Sequence, residues 1–167
     1  MKTVILAFCL LLVNAMNIMA WTRFDAPWSF QCGRRASISH ISSFHSNHHE
    51  DRSWIFHCRR NAKITNRCGW TGFVNWFDRQ ILFQCPNGVI TGVRSYHSNH
   101  HEDRRFRFRC CRTRRHNRDC TWTPFQNYWD GKMNFNVARY KFLVGVQSIH
   151  DNRREDRRWK FLVCRKN

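Results

Sequence analysis

One ten-residue phrase occurs three times in the chain and constrains its fold more than any other feature. Each copy contains Ser, His, Asn, Glu, Asp and Arg at fixed offsets. The copies occupy residues 43–52, 95–104 and 148–157. Their aspartates, Asp51, Asp103 and Asp156, are 52 and 53 residues apart. Repetition at a period of this size indicates three similar structural units that pack against one another.

The segments around each phrase have the pattern of β-strands. A short apolar run precedes the phrase, an alternation of aromatic residues follows it, and turn residues separate the runs. Such a pattern is typical of strands, and no window has a long helical period. Gly92 and Gly145 lie inside predicted strands and indicate a bulge or a close backbone approach. The phrase itself and the basic stretches 59–67 and 112–119 are predicted as loops.

The first 20 residues have the pattern of a secretory signal peptide. Lys2 precedes an apolar run at 4–13, and Ala20 supplies a small residue for cleavage. No later stretch is apolar enough to span a membrane. We therefore expect a secreted, extracellular protein with one domain at 21–167. Its three repeats are predicted at about 21–60, 68–112 and 120–165.

Eight cysteines remain after the predicted signal peptide, and they indicate four disulfides. An even set in an oxidising compartment favours disulfides over a zinc site, and the chain has no Cys-x-x-Cys pair. Cys58 and Cys110 lie seven residues past the repeated Asp, whereas Cys111 and Cys164 lie eight past it, on the other strand face. Matching equivalent positions across the repeats predicts the pairs Cys32–Cys58, Cys85–Cys110, Cys68–Cys111 and Cys120–Cys164.

The charge is strongly positive and unevenly distributed. The chain has 29 Lys and Arg against 11 Asp and Glu. Most of the acids recur at equivalent positions of the three repeats, including Asp25, Asp78 and Asp130. The rest of the surface is therefore predicted to be basic, and it would attract polyanions such as sulfated glycans, acidic lipids or nucleic acid.

The repeated loops allow two interpretations, a folding signature or a direct ligand contact. Asn and Asp favour turns because they hydrogen-bond their own backbone. The histidine spacing matches no zinc motif, and the third copy has Arg153 and Arg154 in place of a His pair, so we expect no metal. The candidate loop residues are His45, Asn47, Glu50, Asp51, Arg52, His97, Asn99, Glu102, Asp103, Arg104, His150, Asn152, Glu155, Asp156 and Arg157.

Near-identical copies also argue against catalysis. General acid–base chemistry needs one asymmetric pair of groups with tuned pKa values. Histidines and carboxylates that recur in three copies fit repeated binding sites better than one active site. We expect no catalytic residue and no cofactor.

The strand after the second phrase has an aromatic face and a basic face. Phe106 and Phe108 alternate with Arg105, Arg107 and Arg109, so we expect the rings inside and the arginines outside. Arginines without neighbouring acids suit bidentate binding of sulfate or phosphate. The predicted polyanion-binding residues are Arg105, Arg107, Arg109, Arg112, Arg114, Arg115, Arg153, Arg154 and Arg158.

With the repeats aligned, the chain resembles the dermatopontin family. The resemblance lies in the Asp-Arg-x-aromatic-x-Phe cores at 51–56, 103–108 and 156–161, in the Ser-Asn-His-His-Glu-Asp-Arg loops, and in residues 128–131. It implies a secreted agglutinin or matrix adhesion protein without catalysis. The unit layout also resembles that of the vitelline membrane outer layer proteins. That likeness implies an all-β, disulfide-braced, β-prism-like fold with a pseudo-threefold arrangement, and a β-trefoil is the second choice.

These observations together predict a secreted agglutinin that bridges particles multivalently. Its expected partners are acidic or sulfated glycans and proteoglycans on cells, microbes or matrix, with no specific nucleic acid, no membrane span and a possible homo-oligomer. Two alternatives stay open. One is a matrix organiser that binds proteoglycan and collagen, and the other is a cationic defence protein that binds lipopolysaccharide.

Overall fold

The computed structural model describes residues 20–166, and this part of the chain is all-β. It contains no helix, and hence no segment of the kind that could cross a bilayer as a helix. The predicted signal peptide lies almost wholly outside the described residues. The strands are β1 (Trp28–Gln31), β2 (Ala36–Ser46), β3 (Asp51–Arg60), β4 (Ile64–Trp70), β5 (Ile81–Gln84), β6 (Gly88–Ser98), β7 (Asp103–Thr113), β8 (Asn117–Trp122), β9 (Met133–Asn136), β10 (Lys141–Asp151) and β11 (Asp156–Lys166).

Three long hairpins form the frame of the molecule, and each turns at one copy of the repeated phrase. The first is β2–β3, the second β6–β7 and the third β10–β11. The phrase was predicted as a loop, but its ends belong to strands. In the first hairpin only residues 47–50 form the turn, since β2 runs to Ser46 and β3 begins at Asp51. Asn47, the first residue of this turn, favours a tight turn.

Three short strands connect the hairpins. Each of them pairs with a hairpin from a different repeat and not with the hairpin of its own repeat. Strand β1 pairs with β6 of the second hairpin, β5 with β10 of the third, and β9 with β2 of the first. The result is three sheets with the orders β1-β6-β7-β4, β5-β10-β11-β8 and β3-β2-β9. Each hairpin is therefore completed by a strand that lies far from it in the sequence.

Gly92 and Gly145 lie where a short strand approaches closely. The register shifts between Ile90 and Gly92 and between Leu143 and Gly145. A Cβ at Gly92 would lie 2.8 Å from the carbonyl oxygen of Phe30, and one at Gly145 would lie 2.6 Å from that of Phe83. The predicted bulge and close approach are thus both present at these positions.

Strands β4 and β8 correct part of the sequence interpretation. Residues 59–67 and 112–119 were predicted as loops, yet β4 begins at Ile64 and β8 at Asn117. They pair with β7 and β11 on the outer edges of two sheets. Disulfides Cys68–Cys111 and Cys120–Cys164 join the same strands. Cys32–Cys58 and Cys85–Cys110 complete the set, and all four are the pairs that the sequence predicts.

The aromatic alternation supplies the centre of the core, as predicted. Trp54, Phe106 and Trp159 are each at most 4% exposed and come from three different hairpins. Their rings meet edge to face, with centroids 5.1–6.3 Å apart. Such contacts add to the free energy of burying the rings themselves. The core therefore connects all three sheets.

Candidate functional site

The Asp-Arg dipeptide of each phrase forms a closed ring of buried ion pairs, which we call the Asp–Arg ring. Each arginine donates two hydrogen bonds of 2.5–2.7 Å to an aspartate of another hairpin. All six residues are at most 4% exposed. The pairs are Arg104–Asp51, Arg157–Asp103 and Arg52–Asp156. Every hairpin thus donates to one neighbour and accepts from the other.

A second set of aspartates fastens the turns between strands to this ring. Asp25, Asp78 and Asp130 all have positive φ, between 56° and 60°. Asp tolerates this left-handed conformation better than most residues. Their backbone N–H groups donate to the ring aspartates at 2.8–3.0 Å. This contact explains why an aromatic–Asp element recurs in the sequence.

The first histidine of each phrase is buried beside the ring. His45, His97 and His150 each have side chains only 1% exposed. His45 Nδ1 lies 3.4 Å from Asp156 Oδ1. Burial lowers the pKa of His45, although Asp156 acts in the opposite direction. In the other two copies the histidine Nδ1 contacts an asparagine of the same turn, Asn99 or Asn152.

Three glutamates border the ring on one side. Glu50, Glu102 and Glu155 all have positive φ, between 41° and 46°. Burial raises the pKa of the Glu102 carboxyl, and His97 lowers it less; burial likewise raises the pKa of Glu155. The cavity that they border with the ring has a volume of about 20 Å³. A space of this size holds a water molecule but no sugar ring.

Two groups next to the ring have the donor atoms of a metal site. One ligand atom each of Asp25, Asp51 and His97 lies within 4.8 Å of the others, and Asp78, Asp103 and His150 form an equivalent group. However, both carboxylate oxygens of Asp51 already accept hydrogen bonds from Arg104. A divalent cation at this place would lie against the Arg104 guanidinium. The Asp51–Arg104 ion pair therefore explains the position of the Asp51 carboxylate without a metal.

Most of each four-residue turn is exposed, including Asn47, Asn99 and Asn152. The second histidines, His49 and His101, stack on aromatic rings, although their side chains are 38% and 40% exposed. His49 stacks on Phe24 at 4.6 Å and contacts Asp25 at 2.8 Å. In the third copy Arg154 Nη1 makes the equivalent contact with Asp130 at 3.3 Å. Most conserved offsets of the phrase are thus occupied by internal contacts.

The arginines of β7 do not form one uniform surface. Arg105 and Arg107 stack on aromatic rings outside the sheet. Arg109 is half-buried, donates to Thr91 Oγ1 at 3.2 Å, and has a pKa lowered by burial. Arg112, Arg114 and Arg115 are exposed, as are Arg153 and Arg154 in the third turn. The predicted binding residues therefore separate into stacked, half-buried and freely solvated groups.

Two stacks of cations and aromatic rings lie at equivalent places on the second and third hairpins. In the first stack the Arg105 Cζ lies 4.3 Å from the ring centroids of both Phe73 and Trp76, and the Arg107 Cζ lies 4.0 Å from that of Phe73. In the other, Arg158 and Lys160 lie 4.2 Å and 4.5 Å from the centroid of Phe125. We name them the Trp76 stack (Phe73, Trp76, Arg105, Arg107) and the Tyr128 stack (Phe125, Tyr128, Arg158, Lys160).

Sequence reasoning missed the aromatic halves of these stacks and the asparagines that hold them. Asn75 is buried and bonds both the Arg104 carbonyl and the Phe106 N–H. Asn127 makes the same bonds to Arg157 and Trp159. The signal was present, because both asparagines lie three residues before the aromatic–Asp aspartate of their repeat.

The fold and the centre define a disulfide-braced, all-β protein whose three hairpins are joined by buried ion pairs. The family model for dermatopontin matches residues 22–167. The chain belongs to the dermatopontin family. No solved structure matches the chain.

Three relatives illustrate the range of this family. The chain is 46% identical over 151 residues to the hemagglutinin/amebocyte aggregation factor of Limulus polyphemus, which covers 87% of each protein. It is 39% identical to dermatopontin of Biomphalaria glabrata, covering 83% of this chain and 95% of the relative. It is 36% identical to Millepora cytotoxin-1 of Millepora dichotoma, covering 85% of this chain and 64% of the relative.

Proposed function

We propose that the protein is a secreted agglutinin that binds acidic or sulfated glycans and bridges the surfaces that carry them. The relative from Limulus polyphemus is named for agglutination and aggregation, and it matches most of both chains. The basic charge of the chain supports an anionic partner on cells, microbes or matrix. Multivalent contact, within one chain or through a homo-oligomer, would supply the bridging.

The observation that carries this proposal is the pair of cation–aromatic stacks. Among residues 20–166, none of Arg105, Arg107, Arg158 and Lys160 forms an ion pair with a carboxylate. Trp76 and Tyr128 beside them are 71% and 83% exposed. Fixed, unpaired positive charge next to an exposed ring suits a sugar that carries sulfate or carboxylate groups.

We further propose how the parts are arranged. A signal peptide at 1–20 would precede one domain of three repeats. The ring of ion pairs and the exchange of short strands support a pseudo-threefold, β-prism-like arrangement of the three hairpins. In such a frame, outward faces of different hairpins point in different directions, which favours bridging between particles.

Binding without turnover fits the centre of the molecule. The buried aspartates are engaged by arginines, and the cavity of about 20 Å³ beside them holds a water molecule and no larger substrate. General acid–base groups must reach the reacting atoms within hydrogen-bond distance. We therefore propose that the repeated histidines and acids serve the fold.

Agglutination of erythrocytes, measured against salt and competitors, tests the proposal. Exposed charges are screened over about 8 Å at physiological salt, so agglutination should weaken steeply as salt rises. Heparin should inhibit it, and neutral monosaccharides should inhibit it poorly. Agglutination that is independent of salt and blocked by one neutral sugar would contradict the proposal.

A matrix organiser that binds proteoglycan and collagen is the second candidate. It is favoured by the match to dermatopontin of Biomphalaria glabrata, which covers 95% of that relative. The turbidity of a collagen solution during fibril assembly distinguishes the two functions. A matrix organiser should change the assembly rate at concentrations that do not agglutinate cells, whereas an agglutinin should not.

A further inference from the structure

Only two of the three hairpins carry a cation–aromatic stack. At the positions equivalent to Arg105 and Arg158 the first hairpin has Ser53, and at those equivalent to Arg107 and Lys160 it has Ile55. The first hairpin does have a ring at the place of Phe73, because Trp21 meets Phe44 edge to face as Phe73 meets Tyr96. The Ser53 hydroxyl is turned inward and donates to the Thr22 carbonyl at 2.5 Å. The first hairpin therefore keeps a partly exposed ring, Trp21, but has neither cation.

The fold does not require the stacks. The first hairpin contributes to the Asp–Arg ring and to the aromatic core just as the other two do. It does so with a small polar and an aliphatic residue in place of two cations. Since one hairpin folds without them, a purely structural role does not explain why the other two keep four positive charges beside exposed rings.

The guanidinium groups in the stacks are held in place with donors to spare. Arg105 Nε donates to the Asn75 carbonyl at 2.9 Å, and Arg158 Nε donates to the Asn127 carbonyl at 3.1 Å. Both asparagines are buried, so each arginine is anchored at one edge. An arginine that is already oriented loses less conformational entropy when it binds a ligand. The remaining N–H groups match the oxygens of a sulfate or carboxylate.

Each stack offers one exposed ring. The Trp76 centroid lies 4.3 Å from Arg105 Cζ and the residue is 71% exposed, whereas the Tyr128 centroid lies 5.9 Å from Arg158 Cζ and that residue is 83% exposed. Proteins that follow single-stranded nucleic acid present successive rings along a groove. One exposed ring beside one cation, with a second cation on the neighbouring phenylalanine, fits one pyranose ring with its anionic substituents better than it fits a run of bases.

We propose that the Trp76 stack and the Tyr128 stack are two matched sites for a sulfated sugar residue, so that each chain is divalent. The proposal rests on the function proposed above and specifies its ligand and valency. In each site the exposed ring packs against the sugar, the first cation binds one anionic group, and the second cation binds another. The first hairpin has no such site.

Isothermal titration with a heparin-derived tetrasaccharide tests the valency directly. The wild-type chain should bind two tetrasaccharides. Arg105→Ser with Arg107→Ile gives the second hairpin the residues of the first, and this variant should bind one. The variant with Arg158→Ser and Lys160→Ile should also bind one. The four substitutions together should lower the affinity at least tenfold below that of the wild type. Unchanged thermal unfolding checks that each variant is folded.

The matched control removes equal charge elsewhere. Arg67→Ser with Arg139→Ser deletes two exposed cations that stack on no ring, and it should leave two sites. If the control loses a site, or if the stack variants keep two, the site assignment is wrong. A wild-type chain that binds neither the tetrasaccharide nor long heparin would instead contradict the proposed function itself.

The aromatic ring provides an independent readout. Trp76→Phe keeps an aromatic ring and should retain the site, whereas Trp76→Ala removes the ring and should weaken binding severalfold. Both variants have the same charge, so a difference between them reports the ring alone. Equal affinity of the two would overturn the packing of a sugar against this ring. The choice of a glycan would be overturned if a single-stranded oligonucleotide, or phosphatidylserine vesicles, bound more tightly than the tetrasaccharide and required the same cations.

Discussion

The centre of the molecule and the outer faces of its hairpins follow opposite rules. At the centre all three hairpins contribute the same residues in the same contacts, Asp to Arg and ring to ring. On the outer faces the first hairpin has Ser53 and Ile55, whereas the second and third have cations stacked on aromatic rings. From this comparison we propose that the residues repeated in all three hairpins maintain the fold and that the residues that differ between hairpins bind the ligand.

The largest expected effect is the loss of one ion pair at the centre. Asp103→Ala leaves the Arg157 guanidinium buried without its charged partner, and breaking a buried pair in this way costs roughly 3–5 kcal/mol. Thermal or denaturant unfolding should show the loss. Asp119→Asn is the control, since the Asp119 side chain is 70% exposed and Asn also tolerates the positive φ of 48° there, so stability should change little. Unchanged stability with lost agglutination would instead make the repeated turn a ligand contact.

The next effect concerns the disulfides. Cys85→Ser with Cys110→Ser removes the bridge that ties β5 to the second hairpin, and we expect a loss of roughly 2–4 kcal/mol. Peptide mapping without reduction should recover the four pairs of the structure. A bridge between Cys110 and Cys120, or any free thiol in the folded protein, would contradict this arrangement.

A small effect on stability is expected from the Trp76 stack. Cation–aromatic contacts at exposed sites contribute about 0.5–1 kcal/mol, so Arg105→Ser with Arg107→Ile should shift the unfolding midpoint far less than Asp103→Ala does. If this variant is as unstable as Asp103→Ala, the outer face is part of the framework and the contrast with the centre fails.

The smallest effect concerns pH. Burial lowers the pKa of His45 below 6.5, against the opposing influence of Asp156 and Asp130. Because the pKa of His45 is lower in the folded protein than in the unfolded chain, its contribution to stability is complete above the unfolded pKa. That contribution is lost as the pH falls through the folded pKa. His45→Gln should therefore reduce the loss of stability as pH falls below 6.5. Unfolding curves of both proteins across this window check the expectation, and parallel curves would contradict it.

Much of the fold could be predicted because the sequence repeats itself. Comparing equivalent positions gave the strand alternation, the buried rings and the four cysteine pairs. Strands β4 and β8 were missed because runs such as Ile64–Trp70 are polar and edge strands need only one apolar face. The pairing of β1 with β6 was also missed, since a four-residue strand carries no signal of its partner.

The site was less predictable than the fold. The arginine side of β7 followed from alternation along the strand, but Arg109 differs from Arg105 because it lies beside the bulge at Gly92 and reaches Thr91. Phe73 and Trp76 come from the segment after β4, so their stacking on Arg105 depends on tertiary structure. Spacing in a single sequence does not reveal such a contact.

Elution from a heparin column against rising salt tests the central claim most directly. One variant carries Arg105→Ser, Arg107→Ile, Arg158→Ser and Lys160→Ile, and its control loses four exposed cations through Arg112→Ser, Arg114→Ser, Arg115→Ser and Arg153→Ser. Both lose the same charge and keep the Asp–Arg ring. The account predicts that the stack variant elutes at clearly lower salt than the control. Elution of the two at the same salt would show that net charge alone binds the polymer and that the stacks are not binding sites.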